Sequence, residues 1–415
     1  VRQVPRTGGG TATKWLAPTI VAAGVMPPPL DDSPKCPRCS LVGICLPDET
    51  RLLTQRGEAN ALTPVASPAD GRREDREVRR LMPARDDALP LYIQEQGTTL
   101  CKTGEKLVVK RRYDVVQEVR LIDVSQVCLL GNVQLTAQAL REITAAGIPV
   151  CHFSYGGWFH ALTTGLIHKN VELRIRQFQV AADRARSLEL ARRFVVGKIK
   201  NCRTLLRRHL EDGQPIVDQL ADLARKAEAA TDVTRLLGIE GTAAREYFAG
   251  FAKILKGPVA FNLEGRNRRP PRDPVNAMLS FVYAMLTKEL TVVLHTSGFD
   301  PMLGFFHRPR YGRPSLALDV AEEFRPLVAD STVLTLVNNG EVSDADFVRR
   351  AGGAALTDAG RKAVISAFER RMDTLVTHPL FGYRISYRRI LEVQARLLGR
   401  AILGEIAGYP NFCTR

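Results

Sequence analysis

The sequence predicts an α+β fold, in which a small β-rich domain is followed by a large all-α domain. From about residue 89 to 165, apolar residues recur in short alternating runs separated by glycine and asparagine, which is typical of strands. After about residue 166 the hydrophobic period becomes about 3.6 residues, which is typical of amphipathic helices. A truncated cysteine-cluster segment and a linker precede these two domains.

The cysteine-cluster segment covers residues 1–50 and ends in Cys36, Cys39 and Cys45. The chain has eight cysteines in 415 residues, so this local group indicates a metal or iron–sulfur site in a reducing compartment rather than a disulfide scaffold. The apolar run from Trp15 to Met26 imitates a signal peptide, but it leads directly into PPPL and the cysteines. We therefore interpret the segment as the end of a truncated domain.

The charge balance is strongly basic, with 59 Lys+Arg against 44 Asp+Glu and a net charge of +15. This excess favours a nucleic-acid partner, although an anionic membrane surface or simple solubility would explain it too. No apolar run approaches the ~18 residues that span a bilayer. We therefore expect a cytoplasmic protein without a membrane partner.

The linker, residues 51–88, is rich in alanine, proline, glycine and alternating charge, and such a composition buries little apolar surface. In the β-rich domain, 89–165, one helix at 133–146 interrupts the strands. Cys101, Cys128 and Cys151 lie in strand patterns and are expected to fill space in the core.

The helical domain, 166–415, opens with a stretch at 173–210 that predicts one or two long basic amphipathic helices. Further helices are predicted at 214–230, 241–256, 273–295, 315–328, 344–350, 358–374 and 380–407.

Glu240 stands at the head of an apolar stripe that continues through Tyr247 and Phe251 at helical spacing. A carboxylate beside buried apolar residues is costly unless it meets a cation or a metal ion. The alternative is that Glu240 caps the N-terminus of its helix, where a negative charge is favoured.

A second candidate stretch joins one histidine to carboxylates and arginines. His307 precedes a helix on which Asp319, Glu322 and Glu323 share one face and could converge on one cation. Imidazole and carboxylate ligands suit Mg²⁺ or Mn²⁺, and guanidinium groups suit phosphate. The combination indicates metal-assisted phosphodiester chemistry. The neighbouring arginines are Arg308, Arg310 and Arg313.

A third stretch places four arginines before the helix predicted at 273–295. Taken alone, this stretch indicates a charged surface loop, but the other two candidate stretches favour a loop that binds DNA phosphates. The four are Arg266, Arg268, Arg269 and Arg272.

Several ordered motifs over about residues 88–415 resemble the CRISPR-associated integrase family, Cas-one. They are IEGTAAREYF, RRPPRDPVNAMLSFVYAML, GFDPMLGFFH, YGRPSLALDVAEEFRP and the closing YRRILEVQARLLGRAILGEI. The preceding MPPPLDDSPKCPRCSLVGICLPDE resembles the C-terminal end of the CRISPR-associated exonuclease family, Cas-four. The whole is similar to a fusion of the two.

The integrase resemblance implies that the β-rich domain mediates dimerisation and that the helical domain is catalytic and holds a divalent metal ion. Its metal ligands map to Glu240, His307 and Glu322, and Asp319 matches a nearby acidic position. The family often has aspartate in the place of Glu322, so the choice among Asp319, Glu322 and Glu323 stays open at this point.

The implied reaction is a metal-dependent transesterification in CRISPR adaptation. The 3′-hydroxyl of a captured DNA fragment attacks a phosphodiester at the edge of a repeat, and endonuclease cleavage uses the same site. The resemblance implies Mg²⁺ or Mn²⁺ as cofactor. It implies DNA, a second copy of the chain and the small CRISPR-associated protein Cas-two as partners.

The exonuclease resemblance implies a [4Fe–4S] cluster held by four thiolates, of which Cys36, Cys39 and Cys45 supply three. We expect the cluster to be complete only in the full-length fusion, and we expect no exonuclease activity. Two alternatives to an integrase stay open. One is a non-catalytic DNA-binding scaffold of an adaptation complex, and the other is an iron–sulfur DNA-repair nuclease.

Overall fold

The computed structural model describes residues 29–30, 33–55, 78–166, 170–210, 214–257, 263–267, 270–350 and 352–414. The run from Trp15 to Met26 and the centre of the predicted linker lie outside the described residues. The cysteine-cluster segment contains a 3₁₀ turn, Cys36–Arg38, and two helices. These are α1 (Val42–Cys45) and α2 (Pro47–Gln55).

The β-rich part follows the alternating pattern of the sequence. Its elements are β1 (Leu89–Ile93), β2 (Thr99–Thr103), β3 (Lys106–Arg111), β4 (Asp114–Arg120), β5 (Val124–Leu130), β6 (Gln134–Leu135), α3 (Ala137–Ala145), β7 (Val150–Phe153) and β8 (Phe159–Thr163). They form two four-stranded sheets, ordered β1-β5-β7-β8 and β4-β3-β2-β6. The helix predicted at 133–146 starts later than expected, because Gln134–Leu135 pairs with β2.

The strand β5 faces two different cores with alternate residues. Val127 and Leu129 join a small core formed by both sheets and α3. Cys128, in contrast, joins the large core of the helical part, together with Cys151 on the neighbouring strand β7. This confirms that these two cysteines fill space, and it shows how the first sheet packs on the helices.

The helical part is built from nine described helices and a π-helical turn. They are α4 (Val171–Ala182), α5 (Arg184–His209), α6 (Gln214–Glu228), α7 (Val233–Ile254), α8 (Pro274–Ser297), α9 (Ser315–Phe324), the π turn (Arg325–Asp330), α10 (Ser331–Asn338), α11 (Asp358–Met372) and α12 (Tyr387–Leu403). Asp183, Asp232 and Asp273 accept hydrogen bonds from the first turns of α5, α7 and α8 and so fix where these helices begin.

Two small hairpins correct the prediction of an all-α second half. The helix predicted at 344–350 is wrong, because Phe347–Arg350 forms β9 and pairs with β10 (Gly353–Leu356). A second hairpin joins β11 (Leu375–Thr377) to β12 (Arg384–Ser386), so the helix predicted at 380–407 begins only at Tyr387. In these short stretches, the hydrogen bonds between paired strands outweigh the local preference for a helix.

The helix α8 is, within the described ranges, the helix that is long and apolar enough to cross a membrane by length and composition. Of its most apolar window, 72% is buried inside the protein, which is typical of a core helix. The sequence predicted a helix here, at 273–295, but no continuous apolar run of about 18 residues, because Lys288 and Glu289 interrupt it.

Lys288 and Glu289 are buried at the contact between the first sheet and the helices. The Gln126 amide on β5 donates to both Glu289 carboxylate oxygens, at 3.0 and 2.9 Å, and its own oxygen accepts from Lys288 at 3.1 Å. Arg388 on α12 lies 3.7 Å from Glu289 and pairs with Glu369 on α11. This buried charge network therefore ties β5 to α8, α11 and α12.

The cysteine-cluster segment packs on the helical core. Leu52 and Leu53 of α2 belong to the large core, and so do Val78 and Met82 beyond the centre of the linker. Asp48 receives two hydrogen bonds from the Arg79 guanidinium, at 2.8 and 2.9 Å. Both described ends of the predicted linker are thus part of the fold, and the boundary expected at residue 50 falls inside α2.

The substitution Glu289→Gln tests the buried charge network. It removes the negative charge that compensates Lys288 and Arg388, so we expect the free energy of unfolding to fall by about 3–5 kcal/mol. The matched control is Glu118→Gln, which breaks an exposed pair with Lys106 and should cost less than about 1 kcal/mol. Denaturant unfolding followed by circular dichroism measures both, and equal losses would contradict this interpretation.

Candidate active site

Glu240 lies in the middle of α7, not at its start, so the alternative that it caps the helix is wrong. Asp232 caps α7 instead, through a hydrogen bond from the Arg235 backbone amide at 2.8 Å. The Glu240 carboxylate forms an ion pair with the Lys198 ammonium on α5. This is the cation that a carboxylate beside an apolar stripe was expected to need.

Glu322 on α9 is the buried centre of the site. Lys198 Nζ lies 2.7 Å from its Oε2, and Arg325 Nη1 lies 2.8 Å from its Oε1. Burial by itself would raise the pKa of Glu322, but Arg325, Lys198 and His307 more than offset burial and lower that pKa to about 2. Glu322 is therefore a carboxylate anion at any physiological pH.

His307 is oriented by Asp319. The Asp319 Oδ1 lies 2.7 Å from His307 Nδ1, and the same carboxylate accepts hydrogen bonds from the backbone amides of residues 305, 306 and 307 at 2.6, 3.0 and 2.8 Å. The other ring nitrogen, Nε2, lies 3.6 Å from Glu322 Oε1. Asp319 thus fixes the loop and directs Nε2 of the ring to the same side as Glu322.

Glu323 faces away from this site, so the expectation that three carboxylates of α9 converge on one cation is wrong for this residue. Its Oε2 accepts from the backbone amide of Phe412 at 2.7 Å, in the C-terminal segment. Burial raises the pKa of Glu323 to about 8. One position along a helix turns a side chain by about 100°, which is enough to place neighbours on opposite sides.

Two cations of the site, Lys198 and Arg325, were not indicated by the sequence patterns. The Arg325 guanidinium lies 5.0 Å from the ring centroid of Tyr283, whose hydroxyl donates to Asp330 at 2.7 Å. Tyr247 donates to the other Asp330 oxygen, also at 2.7 Å. Burial raises the pKa of Asp330 to about 6. The sequence did offer one sign of a buried cation at Lys198, because this lysine lies inside the apolar stretch FVVGKIK.

The arginines of the second stretch border the site. Arg308 and Arg310 are exposed, and Arg313 is half-buried just before α9. In the third stretch, Arg272 is exposed, whereas the Arg266 guanidinium donates to Asn276 at 2.7 Å and to Ser280 at 3.1 Å. Arg266 is therefore engaged in the fold. Arg268 and Arg269 lie outside the described residues.

The side chains at the site have the right chemistry for a divalent cation. Within the described part of the chain, no three His, Cys, Asp or Glu side chains already enclose a metal position. The Lys198 ammonium lies between Glu240 and Glu322 instead. Two carboxylates, with an imidazole whose Nδ1 is held by a further carboxylate, nevertheless form a donor set that suits Mg²⁺ or Mn²⁺. The residues that could hold the ion are Glu240, His307 and Glu322.

The three clustered cysteines line one cavity of about 440 Å³ between the cysteine-cluster segment and the helical core. Burial raises the pKa of Cys45, and the Arg400 guanidinium, which donates to the Cys45 carbonyl, partly offsets this rise. Cys36 and Cys39 border the same cavity. Thiolates are the ligands of iron–sulfur clusters, and a four-thiolate cluster needs one ligand more than these three. Within the described residues the three thiols do not already enclose a metal position.

Comparison with known proteins identifies the family. The family model described as CRISPR associated protein Cas1 matches residues 91–370. A CRISPR-associated exonuclease Cas4/endonuclease Cas1 fusion of Geobacter sulfurreducens is 52% identical over 95% of the chain and 69% of its own length. A CRISPR-associated endonuclease Cas1 of Thermus thermophilus is 40% identical over 78% of the chain and 97% of its own length.

The chain therefore belongs to the Cas1 family, the integrase and endonuclease family of CRISPR adaptation. This confirms the resemblance seen in the sequence motifs. A second Cas4/Cas1 fusion, from Rhodospirillum rubrum, is 44% identical over 95% of the chain, which spans 66% of that relative's length.

Solved structures share the fold. A Cas1 protein from Thermotoga maritima has a TM-score of 0.66 at 24% identity and covers 76% of the chain and 97% of its own. A casposase bound to an integration product has a TM-score of 0.68 at 22% identity and covers 79% of the chain and 94% of its own. The arrangement of an N-terminal β-rich part and a C-terminal helical part is thus a Cas1 fold.

The substitution Asp319→Asn tests how His307 is held. An amide cannot accept as many hydrogen bonds as the carboxylate, so we expect the free energy of unfolding to fall by about 1–3 kcal/mol. The backbone amides of residues 305–307 should exchange with solvent faster, as measured by hydrogen–deuterium exchange. Asp222→Asn on the exposed face of α6 is the control, and unchanged exchange in Asp319→Asn would argue against the proposed anchoring.

Proposed function

We propose that this chain is a metal-dependent DNA integrase and endonuclease of CRISPR adaptation, with Glu240, His307 and Glu322 as its catalytic, metal-binding residues. One observation carries the proposal. The fold brings Glu240 and Glu322 to the same ammonium group and places His307 Nε2 beside Glu322, although 67 positions separate Glu240 from His307. Membership of the Cas1 family supports the reaction class.

The reaction is a transesterification. The 3′-hydroxyl of a captured DNA fragment attacks a phosphodiester at the edge of a repeat, a new phosphorus–oxygen bond forms, and the displaced strand leaves with a free 3′-hydroxyl. A bound Mg²⁺ or Mn²⁺ would lower the pKa of the attacking hydroxyl and stabilise negative charge at the phosphate. Cleavage of branched DNA would use the same residues.

The residues around the proposed ligands have supporting roles. Asp319 holds His307 through Nδ1 and so keeps Nε2 available, and this makes Asp319 a positioning residue rather than a direct ligand. Arg325 fixes Glu322. The exposed guanidinium groups of Arg308 and Arg310, with Arg313 beside them, would contact DNA phosphates. Arg268, Arg269 and Arg272 would extend this contact, whereas Arg266 would support the loop from inside.

The partners that we propose are DNA, a second copy of the chain and the Cas2 protein. Two neighbouring structures are described as Cas6-RT-Cas1–Cas2 complexes, and one of them has a TM-score of 0.68 at 24% identity, covering 80% of the chain and 36% of its own. For the second copy, β4 offers an open sheet edge on which Val115 is 52% and Val116 46% exposed. Tyr113 just before the strand and Ile122 just after it are 97% and 81% exposed.

For the cysteines, we propose that Cys36, Cys39 and Cys45 give three thiolates to a [4Fe–4S] cluster that the full-length fusion completes. The cavity that all three border supports this assignment. We place the protein in the cytoplasm, with its DNA substrates and without a membrane partner. The burial of α8 accounts for the apolar length of that helix.

The decisive experiment is the joining of a short DNA duplex to a repeat-bearing plasmid with Mg²⁺ or Mn²⁺, in the presence and absence of Cas2. We expect His307→Ala and Glu322→Gln to lower the joining rate by about 10²-fold or more while DNA affinity stays nearly unchanged. The exposed-carboxylate variant Asp222→Asn serves as the control and should join at the normal rate.

Two outcomes would favour the alternatives. Full joining activity in His307→Ala would identify the chain as a DNA-binding scaffold of an adaptation complex. Loss of activity only when Cys36, Cys39 and Cys45 are all replaced would point to an iron–sulfur repair nuclease.

The proposed DNA contacts predict a change in salt dependence. Each phosphate contact contributes about 0.9 to the slope of log affinity against log salt concentration. The double variant Arg310→Ala/Arg313→Ala should therefore bind duplex DNA more weakly and with a slope smaller by roughly 1 to 2. Arg225→Ala on α6 is the control, and an unchanged slope in the double variant would remove these two arginines from the DNA interface.

A further inference from the structure

The position of the Lys198 ammonium is the feature of the site that the proposed chemistry does not use. Lys198 is 8% exposed and reaches from α5 to the junction of α7 and α9. Its Nζ pairs with Glu240 and lies 2.7 Å from Glu322 Oε2. A single cation therefore bridges the two carboxylates that are proposed to bind the metal ion.

The second cation at the site, Arg325, is held much more firmly. Its guanidinium pairs with the other Glu322 oxygen at 2.8 Å and lies over the Tyr283 ring. Tyr283 is in turn fixed by a hydrogen bond to Asp330. Lys198 has a flexible four-carbon side chain and holds its partners through one ammonium group, so of the two cations it is the one that can be displaced.

We propose that Lys198 is a resident counter-cation, which keeps Glu240 and Glu322 together before metal binding and which the divalent metal ion displaces when it binds. This inference rests on the proposed function, because it takes the same two carboxylates as metal ligands. It adds that metal binding at this site is an exchange of one cation for another.

The charges at the site explain why a counter-cation is needed. Asp319, Glu240 and Glu322 bring three carboxylates together, and two of them are almost completely buried. Without Lys198, Glu240 and Glu322 would face each other with Arg325 as the remaining fixed cation, and buried like charges repel strongly. A divalent ion between the same carboxylates supplies this compensation, and the ammonium then becomes surplus.

If the metal ion displaces Lys198, removal of this lysine has different effects on metal affinity and stability than removal of a purely structural lysine. The ammonium competes with the metal ion for the same two carboxylates, so removing it should strengthen metal binding while it weakens the metal-free protein. A lysine that only supports the fold would weaken both states. A lysine that only contacts DNA would change neither metal affinity nor the stability of the metal-free protein.

The test is Mn²⁺ binding to Lys198→Met, measured by electron paramagnetic resonance of free Mn²⁺ and by thermal unfolding with and without Mn²⁺. We expect the Mn²⁺ dissociation constant to fall by about tenfold or more, since a unit charge is removed within a few ångströms of the ion. The unfolding temperature of the metal-free variant should be lower than that of the wild type, and Mn²⁺ should raise it by a larger amount.

Two further variants make the result specific. Lys200→Met removes an exposed lysine of the same helix, which pairs with Glu228, and should bind Mn²⁺ like the wild type. Lys198→Arg keeps the positive charge, so it should bind Mn²⁺ no more tightly than the wild type does. If Lys198→Met folds only when Mn²⁺ is present, the metal ion replaces the ammonium and the proposal stands, whereas a variant that Mn²⁺ does not rescue overturns it.

The outcomes also separate this inference from the proposed function. If the wild-type protein neither binds Mn²⁺ nor joins DNA, the proposed function fails. If the wild type does both, and Lys198→Met binds Mn²⁺ no more tightly than Lys200→Met does, the cation exchange alone is overturned.

Discussion

The burial of three acidic side chains on α9 is the constraint around which the helical part is organised. Asp319, Glu322 and Glu323 are each at most 1% exposed, and a buried carboxylate is stable only with partners. Backbone amides of the loop before α9 donate hydrogen bonds to Asp319, and the backbone amide of Phe412 in the C-terminal segment donates to Glu323. Glu322 forms ion pairs with a lysine of α5 and an arginine of the π turn. The two segments that flank this helix of ten residues thus meet there with two parts that are distant in sequence, α5 and the C-terminal segment.

The π turn Arg325–Asp330 connects this helix to a fourth buried acid, Asp330. It places Arg325 against Glu322 and Asp330 between the hydroxyls of Tyr247 and Tyr283. Tyr283 lies under both Arg325 and Arg266, so one ring joins a cation of the candidate site to the loop that precedes α8. A π-helical turn at such a place is consistent with a functional site, because its irregular backbone directs side chains that a regular helix would not bring together.

Much of the fold followed from periodicity. Alternating apolar residues located the strands of the β-rich part, and the 3.6-residue pattern located most helices, because both patterns reflect local burial on one face. The hairpins that begin at Phe347–Arg350 and Leu375–Thr377 escaped the pattern, because strands of four and three residues are too short to show a clear period of two. The buried pair Lys288 and Glu289 escaped for a different reason, because the residues that compensate its charges, Gln126 and Arg388, lie far away in the sequence.

For the candidate site, the sequence alone determined the family, through motifs that contain Glu240, His307 and the acidic turn of α9, and the kinds of ligand atom they offer. Only the tertiary structure decided which acid faces His307, that Asp319 orients the ring, and that Glu323 points to the opposite side. It also revealed Lys198 and Arg325. Motifs record which residue types are present, whereas charge compensation depends on distances between helices, and those are set by how the helices pack.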